Sequence, residues 1–241
     1  MGIKAEPFDA EKERKALFGL TEESSDEERR RITFEAAAKT RTLSVTTISP
    51  DRRVAHARIL SFYLLSDGNL YTGTAKGKAV YDDLMANPRV TLTGAFYEEE
   101  RLRAYGIHIT GTLVKATDQE MIDEYWRINP GTKQMYIKGL ELFEVLKLES
   151  GNGEFQHVYT AGHIARLRFG FGGESAEPAR YSIGPQCVGC GVCQEACLTG
   201  TIRLGPEGYY IRSVDCLGCG KCREVCPVPG GILIYSDGNY Q

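Results

Sequence analysis

The cysteines are the residues of this chain whose type and spacing point most clearly to chemistry. All eight lie in the last quarter of the 241-residue sequence, in two runs with the spacing C-x2-C-x2-C-x3-C. The runs are Cys187, Cys190, Cys193 and Cys197, then Cys216, Cys219, Cys222 and Cys226. Three thiolates two residues apart on a tight loop can converge on one face of a cubane, which leaves one iron to be ligated from elsewhere. The spacing therefore predicts iron-sulfur chemistry.

The two runs form an internal duplication. Each cysteine of the second run lies 29 residues after its counterpart in the first, and no thiol is left over. Structural zinc prefers separated pairs of cysteines that supply one tetrahedron, so it fits these runs poorly. Disulfides need an oxidising compartment, whereas Met1 to Leu20 is charged and has no apolar core of signal-peptide length. The sequence therefore favours iron over both alternatives and predicts a reducing, cytoplasmic location.

This segment closely resembles the bacterial two-cluster ferredoxins. The resemblance implies that the last cysteine of each run serves the other cluster. One 4Fe-4S cluster would then be held by Cys187, Cys190, Cys193 and Cys226, and the second by Cys216, Cys219, Cys222 and Cys197. Glycines beside the cysteines would let the loop backbone approach each cluster; these are Gly189, Gly191, Gly218 and Gly220. The family usually has proline after the fourth cysteine, and this chain has Pro227 in the second run but Leu198 in the first.

Composition and length predict a soluble protein with more than one domain. The chain is 42% hydrophobic and 25% charged, with a formal charge of -3 and no apolar stretch long enough to span a bilayer. Nothing in it suggests a nucleic-acid partner. A two-cluster module needs only roughly sixty residues, so most of the chain must form a separate domain. We predict a charged arm at 1–27, a larger domain at 28–170, a Gly- and Pro-rich linker at 171–184 and the iron-sulfur domain at 185–241.

The larger domain is predicted to contain many short antiparallel strands and few helices. Predicted strands cover Thr42–Ile48, Val54–Leu65, Asn69–Thr74, Arg89–Tyr97, Ala104–Lys115, Leu140–Leu148 and Phe155–Tyr159. Predicted helices cover Asp26–Lys39, Lys78–Ala86 and a segment with a capping box formed by Thr117 and Glu120. This pattern favours a small barrel over a parallel nucleotide-binding sheet.

The order of these elements resembles the FMN-binding split barrels of the pyridoxamine 5'-phosphate oxidase type, over roughly Glu28 to Ala161. The segments that carry the resemblance are LSVTTISPDRRVAHARILSFYLL, DGNLYTGT and KGKAVYDDLMANPRVTLTGAF. It implies a mainly β fold with some helix, in which an antiparallel split β-barrel precedes a small α+β ferredoxin-type domain. It also implies a homodimer with flavin sites at the subunit interface.

The same resemblance implies a set of FMN-binding residues. The matching positions are Arg58, Ile59, Leu60, Tyr71, Thr72, Lys76 and Lys78. Arg58 matches the arginine that opens the flavin strand, and Lys78 matches the phosphate-binding lysine. A lysine near a helix N-terminus suits a phosphate because free backbone amides add to its charge. The family often has an arginine immediately before that lysine, where this chain has Gly77, so Lys76 or Arg58 could contact the phosphate instead.

The fusion of the two domains suggests a function. Iron-sulfur clusters pass single electrons, whereas flavin accepts one or two, so together they convert between one-electron supply and two-electron chemistry. The leading hypothesis is an FMN-dependent iron-sulfur oxidoreductase that moves electrons between an external donor, two 4Fe-4S clusters, FMN and a small substrate. The donor would be a redox partner protein or a reduced nucleotide. No catalytic residue is assigned, and protons could come from His108, a nearby tyrosine or water.

Two other functions stay open. The barrel could store electrons or dock a partner, as a non-catalytic electron carrier or redox sensor. Some split barrels bind haem through histidine, which keeps four residues open as axial ligands: His56, His108, His157 and His163.

Overall fold

The computed structural model describes residues 18–21, 23–51, 53–98, 103–158, 164–214, 216–236 and 238–241. The helical elements of the N-terminal part are α1 (Asp26–Thr40), α2 (Ala79–Ala86), α3 (Gln119–Ile128), α4 (Pro130–Met135) and a 3₁₀ turn at Leu140–Leu142. Its strands are β1 (Thr42–Ile48), β2 (Ala55–Ser61), β3 (Tyr63–Leu64), β4 (Leu70–Ala75), β5 (Arg89–Glu98), β6 (Arg103–Lys115), β7 (Phe143–Val158) and β8 (Ile164–Phe171). The protein is therefore mainly β, as predicted.

The eight strands form one antiparallel sheet that curls into a half-barrel. Its order is β2-β1-β5-β6-β7-β4-β3, and β8 also pairs with β7. Residues 143–147 of β7 pair with β4, whereas residues 151–158 pair with β8. Because β7 changes partner along its length, the sheet bends there instead of continuing as a flat layer. The predicted antiparallel barrel is confirmed.

The bend requires glycine in two facing strands. Gly111 of β6 lies opposite Gly151 of β7, and the register shifts between Thr112 and Leu113. A Cβ at Gly111 would lie 2.6 Å from the Ser150 carbonyl oxygen, so no side chain fits at this close approach. The sequence predicted separate strands at Leu140–Leu148 and Phe155–Tyr159, which is wrong: β7 continues through the glycines, and Tyr159 lies outside the described residues.

Three further details differ from the sequence-based expectation. The predicted strand Val54–Leu65 is divided at Phe62, whose backbone N–H donates to the Arg41 carbonyl. The cap of α3 is Asp118 and not Thr117, because the Asp118 carboxylate accepts from the backbone N–H groups of Glu120 and Met121. Strand β8 was not predicted as an element.

Helix α1 closes one opening of the half-barrel. A capping box between Ser25 and Glu28 fixes its start. Its apolar residues Ile32, Phe34, Ala36 and Ala37 are buried, as the pattern predicted. The Phe34 ring packs edge-on against the rings of Phe169 and Phe171 in β8, with centroids 6.4 and 5.3 Å away. The helix therefore stabilises the strand that follows the bend.

The C-terminal unit keeps the symmetry of the sequence duplication. Its elements are β9 (Tyr181–Ile183), α5 (Val192–Glu195), β10 (Ile202–Gly205), β11 (Gly208–Ile211), α6 (Lys221–Val225), β12 (Ile232–Ser236) and β13 (Asn239–Tyr240). Strands β10 and β11 pair with each other, and β9 pairs with β12. Each half thus contributes a strand, a short helix and a strand, and the first strand of one half pairs with the last strand of the other.

The segment predicted as a linker, 171–184, has ordered contacts at both ends. Glu174 accepts hydrogen bonds from Arg89 and from Ser150 of the barrel. Strand β9 lies inside the segment and belongs to the sheet of the C-terminal unit. Among the described residues, no helix has the length and apolar character needed to cross a membrane.

Candidate iron-sulfur centres and flavin site

Two clefts in the C-terminal unit are each lined by four cysteines. The first, here named cage I, is lined by Cys187, Cys190, Cys193 and Cys226. The second, cage II, is lined by Cys197, Cys216, Cys219 and Cys222. Each cage combines three cysteines of one run with the last cysteine of the other, which is the sharing that the ferredoxin resemblance implies. Four thiols per cleft are the donor set of one 4Fe-4S cluster, so the residues present fit that group.

The backbone has the same conformation at equivalent positions of the two cysteine loops. Gly191 and Gly220 precede α5 and α6 with φ angles of 78° and 80°, a left-handed conformation that favours glycine. A Cβ at Gly191 would lie 3.0 Å from the Tyr209 hydroxyl, and one at Gly220 would lie 2.8 Å from the Tyr181 hydroxyl. Each tyrosine also lines its cage. A glycine and a tyrosine therefore occupy equivalent positions in the two cysteine loops.

The surroundings of cage II raise the pKa of one of its thiols and lower the pKa of another. Burial is the main influence on Cys222 and raises its pKa to about 11. Burial also raises the pKa of Cys197, but the backbone N–H groups of Thr199, Thr201 and Ile202 outweigh it and lower that pKa below its ordinary value. Such N–H donors also stabilise negative charge on the sulfur of a metal ligand.

Cage II lies directly against the barrel. The backbone N–H of Arg166 in β8 donates to the Val214 carbonyl at 2.9 Å, and the Val214 side chain belongs to the barrel core. Arg168 donates to the Ser213 carbonyl at 3.5 Å. The Arg166 guanidinium lies 3.7 Å from the position that a Cβ of Gly218 would occupy, in the loop between Cys216 and Cys219. Strand β8 therefore contacts the segment that leads into cage II and the loop that carries Gly218.

Arg58, the first predicted flavin residue, is held in a polar cluster between α2 and the strands β1 and β2. Its guanidinium donates to the Asp83 carboxylate at 2.9 Å and to the Thr47 hydroxyl at 2.7 Å. Thr47 and His56 also hydrogen-bond the same Asp83 oxygen, at 2.7 and 2.8 Å. Asp83 is only 2% exposed. Burial raises its pKa, but these hydrogen bonds and the Arg58 charge outweigh burial and lower the pKa to about 2.

The other strand residues of the predicted flavin site face different environments. Ile59 is 68% exposed on the edge strand β2, whereas Leu60 packs against the core. Tyr71 is buried, and its hydroxyl donates to Asp67 at 2.9 Å; burial, helped by this bond, raises the pKa of Tyr71. Thr72 is also buried and donates to the Ser61 carbonyl at 2.8 Å. Tyr71 and Thr72 are neighbours in β4, so their side chains point to opposite faces of the sheet and not toward a common open site. The Tyr71 ring packs in a cluster with Met121 and Tyr125 of α3.

The two predicted phosphate lysines lie at the start of α2. Lys78 is the N-cap residue of this helix and is exposed, with no capping hydrogen bond from its side chain. The Lys76 ammonium lies 3.7 Å from the Glu144 carboxylate, which also pairs with Lys115 at 3.3 Å. Lys76 therefore already has an anionic partner. Lys78 is placed where it can meet an incoming phosphate.

The histidines proposed as haem ligands have separate surroundings. His56 is bonded to Asp83, and His157 is buried with its ring stacked on Tyr105 at 4.3 Å between centroids. His108 is exposed on the outer face of the sheet. His163 lies outside the described residues. The three described histidines do not converge on one site.

Sequence reasoning did not identify Asp83 or the arginines of β8. Asp83 follows Asp82 in α2, and nothing in the sequence distinguishes the buried carboxylate from its exposed neighbour. Arg166 and Arg168 belong to β8, a strand that the sequence did not predict, and the contact of β8 with the C-terminal unit depends on tertiary packing.

Replacement of Asp83 by asparagine is expected to destabilise the barrel. The change leaves Arg58 without its charged acceptor, so we expect the free energy of unfolding to fall by about 2 kcal/mol. The contribution of the ionised carboxylate is complete above its ordinary pKa of 3.8 and is lost as the pH falls toward about 2. Anaerobic urea unfolding at neutral pH, followed by circular dichroism, measures the effect.

The matched control is Asp82→Asn, which changes the exposed carboxylate next to Asp83 in the same helix. It should alter stability by no more than about 0.5 kcal/mol. Equal effects of the two substitutions would show that the polar cluster around Asp83 does not stabilise the barrel.

Comparisons with known proteins follow the same division of the chain. Residues 186–229 match the family model of the 4Fe-4S dicluster domain. No curated protein sequence matches the chain.

Similar solved structures align with about half to three fifths of this chain. A NimC/NimA family protein from Clostridium acetobutylicum is 18% identical, with 56% of this chain and 88% of that chain aligned and a TM-score of 0.44. A heme binding protein from Mycobacterium smegmatis is 16% identical, with 61% and 59% aligned and a TM-score of 0.47. A Clostridium acetobutylicum protein of the pyridoxinephosphate oxidase family is 15% identical, with 59% and 96% aligned and a TM-score of 0.41. The chain thus joins a curled antiparallel sheet to a C-terminal segment that matches the 4Fe-4S dicluster domain.

Proposed function

We propose that this protein is an FMN-dependent iron-sulfur oxidoreductase. The observation that carries the proposal is the contact between barrel strand β8 and the segment beside cage II, through Arg166, Val214 and Gly218. We infer that a cluster in cage II exchanges electrons with a cofactor of the barrel across this contact. Clusters pass one electron at a time and flavin accepts one or two, so this arrangement suits conversion between the two kinds of chemistry.

In this proposal the eight cysteines hold two 4Fe-4S clusters, one in each cage. The backbone amides around Cys197 would offset negative charge on its sulfur. Burial of Cys222 disfavours a free thiolate, and iron ligation would provide the positive charge that stabilises it. The protein's part is thus to fix the thiols and to tune the charge around them.

FMN, when bound, supplies the two-electron chemistry. Lys78 would bind its phosphate at the start of α2, where the first backbone N–H groups of the helix add favourable dipoles. Arg58 would act through Asp83 to hold α2 against β1 and β2, because its guanidinium is already bonded there. Exposed Ile59 on edge strand β2 is available to a second copy of the chain, in line with the homodimer that the resemblance implies.

The remaining parts of the proposal concern partners and protons. A redox partner protein or a reduced nucleotide would supply electrons in a reducing cytoplasm, and a small molecule would be the substrate. Exposed His108 could move a proton to or from that substrate.

A second candidate function is a non-catalytic electron carrier or redox sensor. It is favoured by the internal hydrogen bonds of Arg58, Tyr71 and Thr72, because these side chains are engaged with the protein itself. Haem binding has less support, since His56 and His157 are held by Asp83 and Tyr105.

Turnover separates the two candidates. The holoprotein, purified without oxygen and loaded with FMN, is mixed with excess reduced methyl viologen and a panel of two-electron acceptors. An enzyme oxidises two molecules of reduced methyl viologen for each acceptor molecule and continues for many cycles. A carrier discharges its stored electrons once and stops. Many turnovers with at least one acceptor are expected, and a single discharge with every acceptor would favour the carrier.

A further inference from the structure

A polar cavity of about 390 Å³ lies between the outer face of the barrel sheet and the C-terminal unit. Barrel residues His108 and Glu154 line it, together with Arg166 and Arg168 of β8. Arg180, from the segment before β9, also lines it. This is a separate place from the start of α2, where the FMN phosphate is proposed to bind.

Positive charge predominates in the cavity. Three guanidinium groups line it together with the carboxylates of Glu154 and Glu177. Glu154 accepts from the Nε atoms of both Arg166 and Arg168 at 2.9 Å, so one carboxylate is shared by two arginines. The formal charge of these five groups is +1.

The arginines keep donors for a ligand. A guanidinium has five N–H donors, and the bonds to Glu154 use one from each of Arg166 and Arg168. Arg180 is exposed and donates through Nη1 to the Tyr235 carbonyl, which orients its planar group. Planar guanidinium groups held in this way suit paired oxygen atoms.

A second cavity shares two of these arginines. It measures about 190 Å³ and is lined by Arg166, Arg168 and Glu177, with Arg29 of α1 as its third guanidinium. Arg29 itself donates to the Arg168 carbonyl at 2.8 Å. Arg166, Arg168 and Glu177 therefore line both cavities.

We propose that the larger cavity binds a small dianionic oxyanion, with Arg180 and the β8 arginines as its main contacts. A short dicarboxylate and an inorganic oxyanion share this chemistry, and the volume accommodates either. His108 would add a further hydrogen bond. The inference goes beyond the proposed oxidoreductase and does not require FMN to be bound.

A ligand in the cavity would also affect the cluster in cage II. Arg166 reaches Gly218 in the cage II loop, and Arg168 acts electrostatically on Cys216 of the same cage. A bound anion would offset the positive charge of these arginines. Reduction adds negative charge to a cluster, so the anion would lower the reduction potential of the cluster in cage II.

The test measures anion binding to the cluster-loaded full chain by anaerobic calorimetry. Succinate and sodium sulfate are the probes, and uncharged succinamide is the control for shape. Arg180→Gln should weaken succinate binding about tenfold, because one charge-assisted hydrogen-bonding group is lost. Arg203→Gln, which changes an exposed arginine on β10 of the same unit, should leave it unchanged.

Each outcome bears on the proposal. Binding of both probes with loss in Arg180→Gln supports a general oxyanion site, and binding of succinate alone supports a dicarboxylate site. Failure of both probes to bind, equal binding of succinamide, or equal effects of the two arginine variants would overturn it. As an independent readout, succinate should lower one of the two cluster potentials in an electron paramagnetic resonance titration of the parent protein, and two unchanged potentials would also overturn it.

Discussion

The double variant Cys197→Ser/Cys216→Ser is expected to keep one intact 4Fe-4S cluster, whereas Cys193→Ser/Cys197→Ser is expected to keep none. The first pair lies within cage II, so cage I retains its four thiols. The second pair removes one thiol from each cage. Iron and acid-labile sulfide should therefore fall to about four per chain in the first variant and toward zero in the second.

A reciprocal pair provides the control. Cys193→Ser/Cys226→Ser removes two thiols from cage I only, and Cys222→Ser/Cys226→Ser removes one from each cage. Every variant lacks two thiols, so a general loss of stability would affect all four alike. If each run of the sequence held its own cluster, Cys193→Ser/Cys197→Ser would keep one cluster and Cys197→Ser/Cys216→Ser would keep none. That reversed result would contradict the cages described above.

Lys78→Gln is expected to weaken FMN binding about fiftyfold, because a charged contact to the phosphate is lost. Lys76→Gln should have a smaller effect, since the Lys76 ammonium already faces Glu144. Fluorescence titration of flavin-free protein with FMN measures both dissociation constants.

The control for Lys78 is Lys133→Gln, which neutralises an exposed lysine of α4. Riboflavin, which lacks the phosphate, should bind the parent protein and Lys78→Gln equally. If Lys78→Gln bound FMN as tightly as the parent protein does, the phosphate would have to lie elsewhere.

The iron-sulfur domain was predictable because most of the residues that form each cage lie close together in the sequence. Three of the four cysteines in each cage come from one short loop, and the glycines that shape this loop lie beside them in the sequence. The fourth cysteine required the ferredoxin resemblance, since spacing alone does not say which loop it returns to. The two halves of the sequence duplication pair with each other through their strands in the structure.

The barrel was predictable as a class but less so at its site. Alternating strands and turn signals gave the antiparallel sheet, but the glycines of β7 looked like a turn because their close partners, such as Gly111, lie far away in the sequence. The polar cluster around Asp83 was missed for the same reason. Its hydrogen bonds join Thr47 of β1 and Arg58 of β2 to a helix that follows them.

The cavity between the two units depends on contacts that no local pattern contains. His108 was recognised as a strand residue that points away from its neighbours, but the groups that face it come from β8 and from the segment predicted as a linker. Their meeting depends on how the C-terminal unit packs on the barrel. Sequence patterns predict elements more readily than such packing.

The central claim is that one chain holds two clusters and a flavin. The most direct measurement is the content of iron, acid-labile sulfide and released flavin in protein purified without oxygen, followed by incubation with FMN and removal of the excess. The account predicts about eight irons, about eight sulfides and about one FMN per chain. Eight irons with no retained flavin would contradict the flavoenzyme and leave the electron carrier as the better description.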